Sequence, residues 1–274
     1  MTGSVRSPLI HVMGKAVEKA GKSLLRDFGD VEHLQASRKA PLDFVSVADH
    51  KSEKILREEL SRARPHFGFL MEESGEVKGQ DPTLRWIIDP LDGTINFLHG
   101  LPQWCISVAA ERNGEIIAGM VYDPLRDEMF WAEKGGGAWL NARRLRVSTR
   151  KDLADCIVMP DVPHADPEKL SRSMAELAAF AGKVSGIRYL RAAALVLCYV
   201  AAGRCDAYWQ RGLEPWDVAA GSLIVTEAGG FVTEIDGGRD PIYGSSILAT
   251  TPNLQVPVVR VLRGVTAGDI QKKA

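Results

Sequence analysis

The chain has 274 residues, with 34 lysines and arginines against 35 aspartates and glutamates. This near balance excludes broad electrostatic capture of nucleic acid or of an anionic membrane, so any phosphate binding must come from a local site. The length suits one large α/β domain or two packed lobes.

Ile10, Met13, Val17, Leu24 and Phe28 recur among basic residues, which predicts an amphipathic helix over 8–28 and not a signal peptide. A second helix is expected over 49–64, with Glu53 and Arg57 spaced to pair at i,i+4. Leu84-Arg85-Trp86-Ile87-Ile88 reads as a strand that stops at Asp89-Pro90. The apolar runs starting at Cys105, Ile116 and Glu128 are separated by Asn113-Gly114 and Asp123-Pro124, the pattern of an antiparallel meander. Gly135-Gly136-Gly137 reads as a turn at its edge. It lacks the following helix and the Lys-Ser/Thr pair of a nucleotide loop.

The second half alternates. Strands are expected at 157–159, 207–209, 231–233 and 247–249, and helices over 167–181, 191–202, 218–228 and 252–263. Gly203 is placed to end one of these helices and Gly229-Gly230 another. The whole predicts alternating α and β layers, α/β in class. An N-terminal α+β lobe (1–150) carries the antiparallel sheet, a C-terminal α/β lobe (151–274) follows, and the site lies between them. The longest apolar run, Ala192 to Ala202, is too short to span a bilayer, and a soluble cytoplasmic protein is expected. Cys105, Cys156, Cys198 and Cys205 each lie beside apolar residues with no C-x-x-C pair, and read as small buried hydrophobes.

The strongest chemical signal is Asp89-Pro90-Leu91-Asp92-Gly93-Thr94. A buried strand delivers two carboxylates into a tight turn. Such hard oxygen donors hold a divalent cation, and the Gly93 and Thr94 amides at the start of a short helix suit an anion. Alone, the motif reads more readily as an Asx turn after a strand, with solvated acids. Glu72-Glu73-Ser74 by itself reads as a solvated polar surface, but the apolar stretch before it would hold one acid at the rim of the core. Asp217, in Trp216-Asp217-Val218-Ala219-Ala220-Gly221, falls where a helix should start and needs no role beyond an N-cap. The small residues after it permit close helix packing. Asp49, ending Asp43-Phe44-Val45-Ser46-Val47-Ala48-Asp49, is either the start of the second helix or an acid behind a site. His50, His66 and His99 share no metal-ligand spacing and read as surface or packing residues.

Together these four segments, in this order and with Thr226-Glu227-Ala228-Gly229-Gly230, resemble the inositol monophosphatase family, in the bacterial branch that includes the extragenic suppressor proteins. The resemblance covers nearly the whole chain. It implies the layered αβαβα fold of the sugar phosphatases, a homodimer, and a small phosphorylated polyol or sugar as substrate; the balanced charge predicts no direct nucleic-acid contact. It implies Glu72, Asp89, Asp92, Asp217 and the Leu91 carbonyl as ligands to two or three Mg²⁺ ions. Gly93 and Thr94 amides would hold the phosphate. Glu72 and Thr94 would position and activate water, with Asp49 behind Thr94. Arg38 takes a position where the family commonly has Lys. The donor set suits Mg²⁺ and not Zn²⁺, because no His or Cys cluster accompanies it.

The sequence departs from the family around the leaving group. Arg191-Ala192-Ala193-Ala194 stands where Gly-Ser/Thr-Ala-Ala is usual, and Gln210 where Glu commonly binds substrate hydroxyls. The 156–170 region is shortened. With Asp92, Gly93, Thr94 and Asp217, these residues complete the expected substrate site. Myo-inositol 1-phosphate is then a default, with fructose 1,6-bisphosphate, histidinol phosphate and 3′-phosphoadenosine phosphates as alternatives. The rival class is a regulatory binding protein of the RNA-processing or transcription machinery, a role some bacterial relatives have.

Overall fold

Ser7 starts the first helix, α1 (Pro8–Phe28): its side chain accepts the Ile10 amide at 3.2 Å, and Pro8 needs no amide partner there. The computed structural model describes residues 6–30, 36–40, 43–162 and 167–265, with backbone alone for 36–40, 43–45, 167 and 168. The Arg38 side chain lies outside the described residues. A hairpin of β1 (Ala36–Ala40) and β2 (Asp43–Ser46) leads into α2 (Val47–Ala63), which packs along α1.

The larger sheet comprises β3 (Gly68–Met71), β4 (Gly75–Val77), β5 (Leu84–Asp92), β6 (Cys105–Arg112), β7 (Glu115–Asp123), β8 (Glu128–Glu133), β9 (Ala138–Leu140) and β10 (Arg143–Arg144), with the five-residue α3 (Thr94–Leu98) between β5 and β6. Its order is β10-β9-β8-β7-β6-β5-β3-β4, antiparallel except for the parallel β3–β5 pair. The meander is as the turn residues predict, with Asn113 and Gly114 both at positive φ. Alternation assigns its faces: Trp86 and Ile88 point into the core shared with α1 and α2, and Ile87 points to the opposite core.

The smaller sheet is built from β11 (Ile157–Val158), β12 (Gly186–Ile187), β13 (Ala207–Arg211), β14 (Phe231–Thr233) and β15 (Ser246–Thr250), in the order β12-β11-β13-β15-β14. Helices α4 (Pro167–Phe180) and α7 (Gln255–Arg263) cover its outer face, where Phe180, Trp209, Leu248 and Val258 share a core. Between the two sheets lie α5 (Ala193–Ala201) and α6 (Pro215–Glu227), in one continuous core that takes Ile87 and Val121 from the first sheet and Tyr208 and Ile247 from the second. The layers therefore run αβαβα. The small residues of α6 are what this sandwich needs. A Cβ on Gly221 would lie 2.6 Å from Leu197 of α5, and one on Gly119 of β7 would lie 2.7 Å from the Ala220 carbonyl. The triple glycine turn is fastened to α6, since the Gly135 and Gly137 amides donate to Glu227 at 2.7 and 2.8 Å.

Several details differ from the sequence reading. The fifth strand does not stop at Asp89-Pro90. Its pairing breaks at Pro90, which has no N–H to offer, and resumes where Asp92 faces Cys105. Neither Asp49 nor Asp217 is an N-cap. Each occupies N3 of a capping box, with Ser46 and Glu214 as the caps. Glu53 turns inward rather than pairing with Arg57, and accepts the Glu73 amide at 2.9 Å and the Ser74 hydroxyl. The fifth helix starts at Ala193, not 191, because Arg191 adopts a left-handed φ of 57°. The four cysteines are buried and free, as their apolar neighbours predict. Among the described residues no helix is long and apolar enough to cross a membrane.

Candidate active site

A cleft of about 170 Å³ opens where the end of β5, the loop after β3, the start of α5 and the start of α6 meet. Glu72, Asp92, Gly93, Thr94, Arg191, Ala193, Gln210 and Asp217 line it, so residues spaced along most of the sequence converge there. Asp89 and Leu91 are buried in the same strand end, 2 % and 1 % exposed, and Asp49 lies wholly buried behind Thr94. Ala192 does not reach the cleft. It is fully buried as the N-cap of a helix that starts two residues later than expected, and Ala193 lines the cleft instead. His50, His66 and His99 are exposed and outside the cleft.

Asp92 is held by its neighbours. Oδ1 accepts the Ala193 amide at 3.1 Å, Oδ2 accepts the Ala194 amide at 2.8 Å, and the Cys105 thiol lies 3.5 Å from Oδ2. Burial pushes its pKa up to about 7 despite these donors. Asp89 accepts the Leu91 amide at 2.9 Å, and burial, then the charges of Glu72, Asp92 and Asp217, drive its pKa well above the usual carboxylate range. Asp217 accepts the Glu214 amide at 2.8 Å and is raised in the same way, by burial first and then by Asp92 and Glu72. The repulsion among these groups shows that four acids share one electrostatic environment.

Gly93 must be glycine. Its φ is 93°, and a Cβ there would come within 2.7 Å of the Gln103 carbonyl. The turn leaves the Gly93 and Thr94 amides without a protein acceptor among the described residues. The Thr94 hydroxyl lies 3.0 Å from both Asp49 Oδ1 and the Leu91 carbonyl. Asp49 in turn accepts the Ser46 amide at 2.9 Å and the Ser46 hydroxyl at 2.6 Å, and burial raises its pKa against these donors.

The donor set is carboxylate and carbonyl oxygen, buried at Asp89, Leu91 and Asp92 and half-buried at Glu72 and Asp217, anionic and mutually repelling, which is what a hard divalent cation relieves. Among the described residues no three His, Cys, Asp or Glu side chains are gathered closely enough to hold a metal ion by themselves.

Three further residues shape the cleft without any motif to announce them. Asp161, 6 % exposed, lines it 3.9 Å from Arg191. Tyr189 meets the Arg191 guanidinium at 3.2 Å. Asn96 donates to the Gln103 and Leu190 carbonyls, both at 2.7 Å, and so ties α3 to the segment before α5.

Known proteins share this architecture. The family model described as "Inositol monophosphatase family" matches residues 6–267. An inositol-1-monophosphatase of Rhizobium meliloti is 50% identical over 98% of this chain and 99% of its own. A putative Nus factor SuhB of Neisseria meningitidis serogroup B is 40% identical over 93% of this chain and 98% of its own. The crystal structure of the extragenic suppressor protein SuhB from Bartonella henselae superposes with a TM-score of 0.92 at 49% identity, over 95% of this chain and 100% of that one. With the layer order, the convergent acids and these matches in hand, the chain belongs to the inositol monophosphatase family.

Proposed function

We propose that the protein is a Mg²⁺-dependent phosphate monoester hydrolase acting on inositol monophosphate or a related small sugar or polyol phosphate. The observation that carries this reading is the convergence in one cleft of Glu72, Asp92 and Asp217 with the two unpaired amides at Gly93 and Thr94. The name of the Rhizobium relative supports it. Glu72, Asp89, the Leu91 carbonyl, Asp92 and Asp217 are the residues that would hold two or three Mg²⁺ ions. Bound Mg²⁺ supplies charge neutralisation for the ester oxygens and lowers the pKa of a coordinated water.

The chain's own groups do the rest. The Gly93 and Thr94 amides receive the phosphate. Thr94, backed by Asp49, holds a water by its hydroxyl, and Glu72 takes its proton. Arg191, Ala193 and Gln210 face the leaving group. A homodimer in the cytoplasm belongs to the same proposal. The test is phosphate release from myo-inositol 1-phosphate, fructose 1,6-bisphosphate, histidinol phosphate and 3′-phosphoadenosine 5′-phosphate. It is run with Mg²⁺ and again with excess EDTA. Release that persists in EDTA, or none from any ester, would overturn the reading.

A second reading, a regulatory protein of the transcription machinery, has the name of the Neisseria relative behind it. Four converging acids, two of them buried, are costly to keep together without chemistry to use them, which favours the enzyme. Pull-down from lysate beside the phosphate assay separates the two.

A further inference from the structure

Arg191 stands out on the cleft wall by its backbone. Four non-glycine residues among those described have positive φ, and three of them, Asn113, Asp127 and Asn141, are of the types that tolerate it. Arg191, at 57°, is not. A long side chain is kept where glycine would fit without strain, and such outliers cluster at sites that use them.

The surroundings fix this arginine from one side. Asn96 pins the Leu190 carbonyl at 2.7 Å, setting the main chain before it. Arg191 Nη1 donates to the Tyr189 hydroxyl at 3.2 Å and to the Val162 carbonyl at 3.4 Å, and lies 3.9 Å from Asp161 Oδ1. Asp161 itself accepts the Val162 amide at 2.7 Å. All of these contacts reach the guanidinium through Nη1. The Nε–Nη2 edge has no protein acceptor among the described residues, and the side chain, 30% exposed, lines the cleft. That edge carries two parallel N–H groups, the fork that meets two oxygens of a carboxylate or phosphate. Gln210, also on this wall, has its carbonyl oxygen engaged by the Tyr208 hydroxyl at 2.6 Å, which leaves its amide N–H₂ as the available end. Asp161 is the carboxylate of this wall and lies on the Nη1 side of Arg191, so the Nε–Nη2 edge and the Gln210 amide offer donors to a leaving group.

We propose that Arg191 selects a phosphate monoester whose leaving group bears a second anionic group, a phosphate or a carboxylate, seated on its Nε–Nη2 edge. This rests on the phosphatase reading and names its substrate class. Two pairs of esters isolate the second anion: fructose 1,6-bisphosphate against fructose 1-phosphate, and 3-phosphoglycerate against glycerol 3-phosphate. For each pair, kcat/KM is measured with Mg²⁺. Kd is measured by calorimetry with Ca²⁺ in its place, in wild type, Arg191→Gly and Arg191→Lys. Glycine suits the native φ, so that variant keeps its fold.

The expected wild-type preference within at least one pair is about tenfold or more, the size of one charge-assisted contact. It should collapse toward unity in Arg191→Gly and survive in part in Arg191→Lys, which keeps the charge but not the fork. The pair that responds tells phosphate from carboxylate. No preference in wild type, or the same preference in Arg191→Gly, overturns the assignment. If no ester is hydrolysed yet the Kd ratio collapses in Arg191→Gly, the phosphatase reading falls and the role of Arg191 stands. If esters are hydrolysed and the ratio is unchanged in Arg191→Gly, the phosphatase reading stands and Arg191 does not read the leaving group.

Discussion

The Asp92 carboxylate closes the N-terminus of a helix a hundred residues away, with its Oδ2 2.8 Å from the Ala194 amide and its Oδ1 3.1 Å from that of Ala193. Ala192, the helix's own cap residue, has no side chain to do this. One acid thus links the cleft to α5 and fixes where the leaving-group wall begins. Asp92→Asn should keep the fold, because an amide oxygen still accepts one of these bonds. Removing the charge should lower kcat for phosphate release by about two orders of magnitude or more. Turnover near that of wild type, with circular dichroism unchanged, would remove Asp92 from the machinery.

Cation binding should be visible without any substrate. Burial and mutual repulsion hold Asp89 and Asp217 well above the usual carboxylate range, so a cation bound among them relieves a cost the folded state otherwise bears. Mg²⁺ should raise the Tm, by about 2.7 kcal/mol of stability at a hundredfold excess over Kd. EDTA should reverse the shift. The Asp217→Asn variant should respond less to Mg²⁺ than wild type. Calorimetric unfolding at matched ionic strength is the measurement, and a Tm indifferent to Mg²⁺ is the adverse result.

Much of the fold is legible in the sequence where the pattern is local. The stripe of the first helix bounds it at both ends, because only one of its faces is buried, with Ile10, Met13, Val17 and Leu24 fully inside. The sixth helix is buried from Val218 to Val225, so it carries no such stripe, and only Glu214-Pro215 signals its true start. The paired acids of Asp89-Pro90-Leu91-Asp92 are legible as a turn bearing carboxylates. Asp161 and Asn96 are not. Asn96 matters because it meets Leu190, 94 positions away, and no short window contains that contact. Ala192 misleads because a two-residue shift in a helix start changes which side chain faces the cleft.

Gly93→Ala tests the turn directly. The substitution places a Cβ 2.7 Å from the Gln103 carbonyl and forces an L-residue to φ 93°. Overpacking and left-handed strain together should cost about 3 kcal/mol. Denaturant unfolding should show that loss in the midpoint with little change in slope. A cost under about 0.5 kcal/mol, the range of an ordinary surface change, would mean that the turn relaxes freely.

The thiols should be silent. Cys105, Cys156, Cys198 and Cys205 are all buried, and burial pushes the Cys156 thiol up to about 12. Reactivity requires the thiolate, so an aromatic disulfide reagent at about pH 8 should label none of the four quickly in the folded protein. All four should react in denaturant. Rapid labelling of the native protein would contradict the burial of these side chains.

Thr94 offers the sharpest test of how water is positioned. Its hydroxyl has one proton and two acceptors, Asp49 Oδ1 and the Leu91 carbonyl, each at 3.0 Å. Whichever takes the proton, the Thr94 oxygen keeps lone-pair capacity for a water on the cleft side. Asp49 is held by the Ser46 amide and hydroxyl, so it cannot turn away to release Thr94. A group that orients water acts in the transition state and contributes little to holding the ester. Thr94→Val, which keeps the shape and loses the hydroxyl, should therefore lower kcat by about 10²-fold while KM changes by only a few-fold. Thr94→Ser should restore most of kcat. Asp49→Asn should resemble Thr94→Val, because an amide N–H₂ cannot accept the Thr94 proton. The double variant should be little worse than either single one, since the two residues act as a unit. If Thr94→Val instead raises KM at unchanged kcat, Thr94 is a ground-state contact and the water is positioned by another group.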